Sequence, residues 1–586
     1  MMLEHLKAAC RAGQLSDIAL HFANFIDRLE PNADDDVLLA AALASQSAVS
    51  GETCIDLKEL AGNTVLQGIN DLEICAPTLA AWRTVLARSP SVSTNAEASL
   101  LVLEDDDQLY LYSYRDWEER LVAAIKMHAT GPDFEIEQEQ LDRELCNLFP
   151  HEFVSPEQER AAILSVKRRF SVITGGPGTG KTTTAASALA LLQRLQAIEP
   201  HQIALSAPTG KAAARLREVV SDVYAKLGLP SDFLPADSIT MHRLLGRRSG
   251  SILSRHHSGN PLPYAIVVVD EASMVDLVMM TQLFEALPET SRLILLGDKD
   301  QLASVEVGTV LGDICEVVNT EPLAQSVAVL KTSWRFRADS QLGCFAAAII
   351  RGDSEQAYQA INSASQSSIS SLAMSKDIDL AESLRNRCLS DYAKSVELVL
   401  EGASPETVFN EMSKMQVLAA HRTGSHSVEE ITELVETQLF TRGLIYPSDG
   451  WYPGRRILIT ENDYNLDLFN GDIGVTFPDD NDPDVLKVVF PSSQTGWRVI
   501  SPGRLPRHET VYAMTVHKSQ GSEYDQVIMV LPQTISPILT RSLLYTAVTR
   551  AISKLEIWGS DEILRTAIEM DQKRVSGLQQ RLLRGL

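Results

Sequence analysis

The chain has 586 residues, 45% of them hydrophobic and 22% charged, a composition that excludes fibrous and disordered classes and is too long for a single core. Its net charge of −25 weighs against a partner as anionic as DNA, because neutralising phosphates dominates nucleic-acid affinity. The seven cysteines form no CxxC pair or metal-ligand cluster, the N-terminus has no cationic stretch before an apolar core, and no apolar run approaches the ~20 residues of a bilayer span. A cytoplasmic protein with reduced thiols and no membrane attachment is expected.

Charge is unevenly spread. Residues 1–150 hold 26 acidic and 10 basic side chains, a balance of −16, whereas the remaining 436 hold 51 and 42, or −9. The acidic quarter reads as a protein-docking module, with plain solubility an equal alternative, and the rest can carry a local basic track. Residues 1–110 are expected to be helical, with "DDDVLLAAALASQSAV" the clearest apolar period. "SLLVLEDDDQLYLYSY" reads as a hairpin and "RDWEERLVAAIKMHA" as a helix. "GPDFEIEQEQLDREL" reads as a charged connector that closes residues 111–150.

From 155 the pattern changes to short apolar runs, "FSVITG", "QIALSAP", "AIVVVDEA" and "RLILLGD", separated by helical stretches. That alternation is the signature of a parallel sheet with crossovers. Residues 151–335 form this first α/β domain, and 336–412 a helical insertion in which "SASQSSISSLAMS" is a mobile loop. Residues 413–586 form a second α/β domain with a β-rich insert at about 445–508, turning at Asn470-Gly471 and "DDNDPD".

Gly175, Gly176, Pro177, Gly178, Thr179, Gly180, Lys181, Thr182 and Thr183 fit G-x-x-x-x-G-K-T between a strand and a helix. In that pattern backbone N–H groups cradle a β-phosphate, Lys181 reaches the β and γ oxygens, and Thr182 ligates Mg²⁺. "IVVVDEAS" adds Asp270 for the metal and Glu271 as a general base. About 28 residues on, the space of one more strand–helix unit, "LLGDKDQL" places Asp298 and Gln301 where a γ-phosphate sensor would stand. Thr209, Lys211 and Arg215 in "SAPTGKAAARL" suit a nucleic-acid phosphate, as do His242 and Arg243 in "SITMHRLLG". "MTVHKSQGSEYD" clusters Thr515, His517, Lys518 and Ser519 on a loop too polar for a core. Arg335 in "SWRF" and Arg550 in "YTAVTRA" are candidates for an arginine finger in cis.

The ordered set resembles the superfamily 1 helicases and, within them, the RecD (alpha) subunits of exonuclease V, the RecBCD complex, over about residues 95–560. "SPEQERAA" is similar to the adenine-reading Q motif, which puts Gln158 on the base. The Gly-Asp-x-x-Gln form separates this superfamily from its sister helicases. Two departures, Trp334 where tyrosine is usual and Ile552 where a second basic residue is frequent, touch accessory contacts. The resemblance implies two RecA-like P-loop helicase domains, use of ATP and Mg²⁺, and 5′ to 3′ translocation on single-stranded DNA in double-strand break repair and DNA end degradation. It also implies a RecB-like helicase-nuclease holding the nuclease site and a RecC-like scaffold as partners. A solitary 5′ to 3′ RecD-like helicase and a regulatory subunit with a vestigial ATPase stand as alternatives.

Overall fold

The computed structural model describes residues 2–67, 73–95, 98–148, 155–235, 238–248, 251–318, 320, 323–335, 340–362, 368–373, 380–446, 450–463, 465–479, 481–492, 496–571 and 574–585. The amino-terminal module is built on the helix Asp35–Val49, which is apolar on nearly every side and buries Val37 through Ala44. A helix hydrophobic all round needs partners all round, and the helices Met2–Arg11 and Asp17–Leu29 supply them.

The region is not purely helical as expected. The strands Cys54–Asp56, Gln108–Leu111, Leu101–Leu103 and Val92–Ser93 form a four-stranded sheet in that order. Runs of two to four residues are too short to display a period of two, so the sequence pattern hid them. The expected hairpin does form, with Leu101–Leu103 antiparallel to Gln108–Leu111. From it the helix Tyr112–Thr130 lays Leu121, Val122 and Ile125 into one core with Phe170 and Phe284. The stretch read as a connector contains the helix Gln138–Leu148, whose Leu141 and Leu145 pack with the helix Lys181–Gln196. The boundary expected near 150 lies outside the described residues.

The first parallel sheet runs, in order, Val327–Leu330, Phe170–Gly175, Arg292–Gly297, Ile266–Val269, Ile203–Ala207 and Ser238–Thr240. Helices cover both faces, which is why "IVVV" is apolar without alternation. The second parallel sheet runs Ile369–Ala373, Ala551–Gly559, Tyr524–Val530, Met415–Ala419 and Ala513–Thr515. Its edge strand Ile369–Ala373 corrects the mobile loop expected at "SASQSSISSLAMS", part of which (363–367 and 374–375) lies outside the described residues. The seven serines of that stretch masked the pattern; pairing with Ala551–Gly559 supplies the backbone hydrogen bonds that the side chains do not advertise.

The insert is a five-stranded antiparallel sheet, Gly496–Ile500, Leu486–Ser492, Ile473–Pro478, Arg456–Ile459 and His508–Thr510, around Ile457, Leu468, Val488 and Phe490. Its Asn470-Gly471 turn puts Gly471 at φ 97°, a region that glycine enters without a Cβ clash. The chain then returns: the helix Leu578–Gly585 packs on Tyr112–Thr130 and buries Leu578 and Leu582 in the core beneath the first sheet. Among the described residues no helix is long and apolar enough to cross a membrane.

Candidate active site

The Gly-rich loop joins the strand Phe170–Gly175 to the helix Lys181–Gln196, with Gly178 at φ 70° and Gly180 at φ 82°. Both are left-handed, so the turn needs glycine at these two points. Gln158 underlies the loop: its Nε2 donates to the Thr179 carbonyl at 3.0 Å, while its Oε1 accepts from Ser155 N–H in a capping box. Lys181 Nζ donates to the carbonyls of Gly175 (2.7 Å) and Gly176 (3.1 Å), and Thr179 Oγ1 to the Gly176 carbonyl at 2.8 Å. Thr183 is exposed, whereas Thr182 Oγ1 donates to Asp270 Oδ2 at 3.0 Å. The hydroxyl and the carboxylate thus meet at one point beside the loop.

Asp270 follows the buried strand Ile266–Val269, and burial together with the charge of Glu271 pushes its carboxyl up to about 6. An added cation would relieve that pressure. Glu271 stands at φ 52°, a conformation costly for a residue with a Cβ and found where the surroundings over-determine it. Asp298, at the end of Arg292–Gly297, is buried and pushed up by burial; its Oδ2 accepts from Gln301 Nε2 at 3.0 Å and from the Tyr545 hydroxyl at 3.1 Å.

Tyr545 belongs to the second domain, and so does Arg550, whose Nη2 donates to Gln301 Oε1 at 3.1 Å. Leu302 N–H donates to Thr546 Oγ1 at 2.9 Å, and Gln520 Nε2 to the Leu302 carbonyl at 3.2 Å. The cleft is closed over this turn. Arg335 is carried by the segment that leaves Val327–Leu330, so it stands at the edge of the first sheet and not within the second domain. Its neighbours bind the Gly-rich loop: Trp334 N–H donates to the Gly178 carbonyl at 2.9 Å and Ser333 Oγ to Pro177 O at 2.9 Å. Arg335 Nη2 reaches Glu523 at 2.7 Å, and its Nη1 is buried with no hydrogen-bond partner among the described residues. Glu523 Oε2 also takes Arg215 Nη2 at 2.7 Å. Burial pushes Glu523 up, but the hydrogen bond from Arg335 and the charge and hydrogen bond of Arg215 outweigh it and leave the carboxylate below its usual range.

The residues expected to meet nucleic acid are not brought to one surface: Lys211, Arg215 and Arg243 line one cavity, His517 another, and Thr209, His242, Thr515 and Lys518 line neither. Thr209 Oγ1 caps the helix Gly210–Lys226 by accepting from Ala212 N–H at 3.2 Å, and Lys211 Nζ crosses the cleft to Ser522 Oγ at 2.6 Å. Lys211, Arg215 and Arg243 border a cavity of about 820 Å³ shared with Phe469 and Arg498 of the insert. Burial pushes the Lys211 ammonium down to about 8. His517 lies elsewhere, in a cavity of about 900 Å³ with Val305, Arg541 and Arg574, and burial pushes it down. Lys518 pairs with Glu509, its N–H donates to Thr515 Oγ1 at 3.4 Å, and His242 is exposed. Sequence reasoning missed Glu523, Ser522 and Tyr545 as cleft residues. Each sits inside a quoted motif, but its partner is more than 180 residues away, and no local spacing reports such a pair.

Three family matches lie along the chain: the N-terminal domain of RecBCD enzyme subunit RecD over residues 11–110, an AAA domain over 158–307, and a UvrD-like helicase C-terminal domain over 510–557. RecBCD enzyme subunit RecD of Mycobacterium tuberculosis is 39% identical over 98% of this chain and 96% of its own length. The chain belongs to the RecD family. The family member from Haemophilus influenzae is 33% identical over 80% of this chain and 79% of its own length. ATP-dependent RecD2 DNA helicase of Deinococcus radiodurans is 30% identical over 69% of this chain but 49% of its own length. Among solved structures, Pif1 helicases from Bacteroides and Candida albicans both give TM-scores of 0.38, at 15% and 16% identity, covering 75% and 72% of this chain and 95% and 97% of theirs. As a RecD chain with an AAA domain and a helicase C-terminal domain, the protein is an ATP-dependent DNA helicase.

Proposed function

We propose that this chain is the 5′ to 3′ single-strand DNA motor of an exonuclease V complex, driven by closure of two RecA-like domains on ATP. The observation that carries the reading is the Asp298–Gln301–Arg550 chain of hydrogen bonds across the cleft, with Tyr545 on the same carboxylate. A sensor on one domain and a cation on the other can respond to a γ-phosphate only when the domains close, which makes hydrolysis a report of closure.

In this reading the Gly175–Thr183 loop and Lys181 hold the phosphates, Thr182 and Asp270 hold Mg²⁺, Glu271 orients and deprotonates water, and Arg335 and Arg550 stabilise charge developing on the transferred phosphoryl. The donor set fits a nucleotide with a divalent cation: Arg335 packs its Cβ on Gly178 of the loop, its buried Nη1 has no hydrogen-bond partner among the described residues, and Asp270 is crowded by Glu271. A bound Mg²⁺ supplies a positive centre for the phosphate oxygens. Gln158 acts here through the loop, on Thr179 and Gly180, as much as on a base. Thr209, Lys211 and His242 would face the strand from the first domain and Thr515, His517 and Lys518 from the second.

The complex itself, with RecB-like and RecC-like chains, is supported by the family and by one surface. The helix Asp17–Leu29 exposes Ile18 (62%), Phe25 (39%) and Leu29 (56%) along one stripe of the acidic module, an apolar face suited to a protein partner. The match to the RecD N-terminal domain over 11–110, and 39% identity to a RecD subunit over 98% of this chain against 30% over 69% for the RecD2 helicase, favour a subunit over a solitary helicase. The intact Lys181, Asp270, Glu271, Gln301 and Arg550 set opposes a vestigial ATPase. Lys181→Ala should lower DNA-stimulated ATP hydrolysis roughly 10²-fold or more, as losing one charge-stabilising donor does. Unchanged turnover in that variant would remove the site assignment.

A further inference from the structure

The carboxyl-terminal segment begins in the second domain and ends beneath the first. Between them Arg574 donates through Nη1 to the carbonyl oxygens of Ser304 (2.8 Å) and Glu306 (3.1 Å). Those carbonyls belong to the loop that starts at Gln301, whose amide is held between Asp298 and Arg550. Ser304 Oγ folds the same loop onto itself by hydrogen bonding with Glu306 O at 2.8 Å and Gly308 O at 3.1 Å.

The guanidinium is gripped from its other side by the amino-terminal module. Gly51 sits at φ 85°, where a Cβ would lie 2.6 Å from Arg574 Nη1, and its carbonyl accepts the Gly308 N–H at 3.0 Å. One residue along, Val575 O accepts the Thr53 N–H at 3.1 Å. Ser576 Oγ then lies 3.0 Å from Asp313 Oδ2 and 3.3 Å from Glu118 Oε1, and Arg581 ties Glu118 (3.0 Å) to Glu104 (2.9 Å). A single side chain from the tail of the second domain therefore meets two other parts at once: the loop after Gln301 and the module around Gly51.

We propose that Arg574 is a positioning residue for ATP hydrolysis, setting the loop behind Gln301 and making that setting depend on the amino-terminal module through Gly51. The inference rests on Gln301 as the γ-phosphate sensor. Its physical basis is the steep cost of misplacing a group that must meet a transferring phosphate. Without the guanidinium the Ser304 and Glu306 carbonyls lose their donor, the loop relaxes, and Gln301 drifts from Asp298 and Arg550 while the Gly-rich loop stays intact. The module then becomes an input to the motor: whatever displaces Gly51 alters turnover through Gln301, whose cavity Val49, Ser50 and Glu52 also line.

The test uses the full chain and ATP hydrolysis with a single-stranded oligonucleotide. Arg574→Ala should lower kcat about 10-fold and change the KM for ATP less than about twofold, and Arg574→Lys should recover most of the loss because an ammonium can still donate to both carbonyls. Gly51→Ala should reproduce the fall in kcat from the module side. In a Gln301→Ala background Arg574→Ala should cost less than about twofold more, since both act through one amide. Losses that add fully with Gln301→Ala, or turnover unaffected in both Arg574→Ala and Gly51→Ala while Gln301→Ala is impaired, would overturn the inference. Should Arg574→Ala not fold, Arg574→Lys with Gly51→Ala decides by the same criteria. A Lys181→Ala enzyme that hydrolyses ATP normally would instead sink the reading of the site on which the inference stands.

Discussion

Lys181 and Lys211 are held differently although both face the interdomain cleft. Lys181 is bent onto its own loop by two carbonyls, so a phosphate that enters the loop has a cation already beside it. Lys211 is spent on Ser522 across the cleft, and burial brings its ammonium down to about 8 from an ordinary 10.5. A depressed lysine prefers its neutral form in the fold, so its contribution to stability is present above pH 10.5 and lost as pH falls through about 8. Its charge runs the other way, disappearing as pH rises through about 8. If Lys211 meets a DNA phosphate, affinity for a single-stranded oligonucleotide should fall between pH 7 and 9, and Lys211→Arg, charged throughout, should flatten that profile. Anisotropy titrations at fixed salt measure it; a wild-type affinity independent of pH would take Lys211 off the track. Lys211→Ala should also reduce the salt slope by about one.

The Gly-rich loop and the Asp270-Glu271 pair were legible because their chemistry demands particular residue types at contiguous spacing, next to a run of β-branched residues. Glu523 and Tyr545 were not, because what makes them cleft residues is a partner on another sheet.

At the scale of elements the same limit governs the fold. The strands "FSVITG" and "IVVV" were readable because they are long, apolar and bounded by turns. Ile369–Ala373 was not, since its serines resemble a loop and its place at the sheet edge is fixed by Ala551–Gly559, far along the chain. The helix Leu578–Gly585 could be read only as a short amphipathic end; its seat is a pair of carboxyls on two other helices. Burial pushes Asp313 up to about 7, with the Glu118 charge adding and the Ser576 and Thr309 hydroxyls opposing. A raised carboxyl contributes stability that is fully present below pH 3.8 and lost as pH rises through about 7. Local opening of Leu578–Gly585, followed by hydrogen exchange and corrected for intrinsic rates, should become easier by about 1 kcal/mol between pH 6 and 8. Asp313→Asn should reduce that dependence, leaving the part due to Glu118, which burial likewise pushes up; an unchanged pH profile in the variant would place the cause elsewhere.

On the scale of the whole molecule, the charge distribution and the packing divide the chain in the same way. The acidic first quarter carries an apolar stripe on Asp17–Leu29, and the two parallel sheets meet across a cleft joined by Asp298, Gln301, Tyr545 and Arg550. Phe25→Glu, on that stripe, should release the chain from RecB-like and RecC-like partners in copurification while leaving its own DNA-stimulated ATPase intact; retention of the partners would move the docking surface off this helix. In the proposed function, closure at this cleft drives the chain along the strand whose 5′ end it enters. The most direct measurement is unwinding by the reconstituted complex on duplexes with a 5′ or a 3′ single-stranded tail, with this chain either wild type or Lys181→Ala. Loss of unwinding from the 5′ tail alone is the predicted result; unwinding from the 5′ tail that survives Lys181→Ala would contradict it.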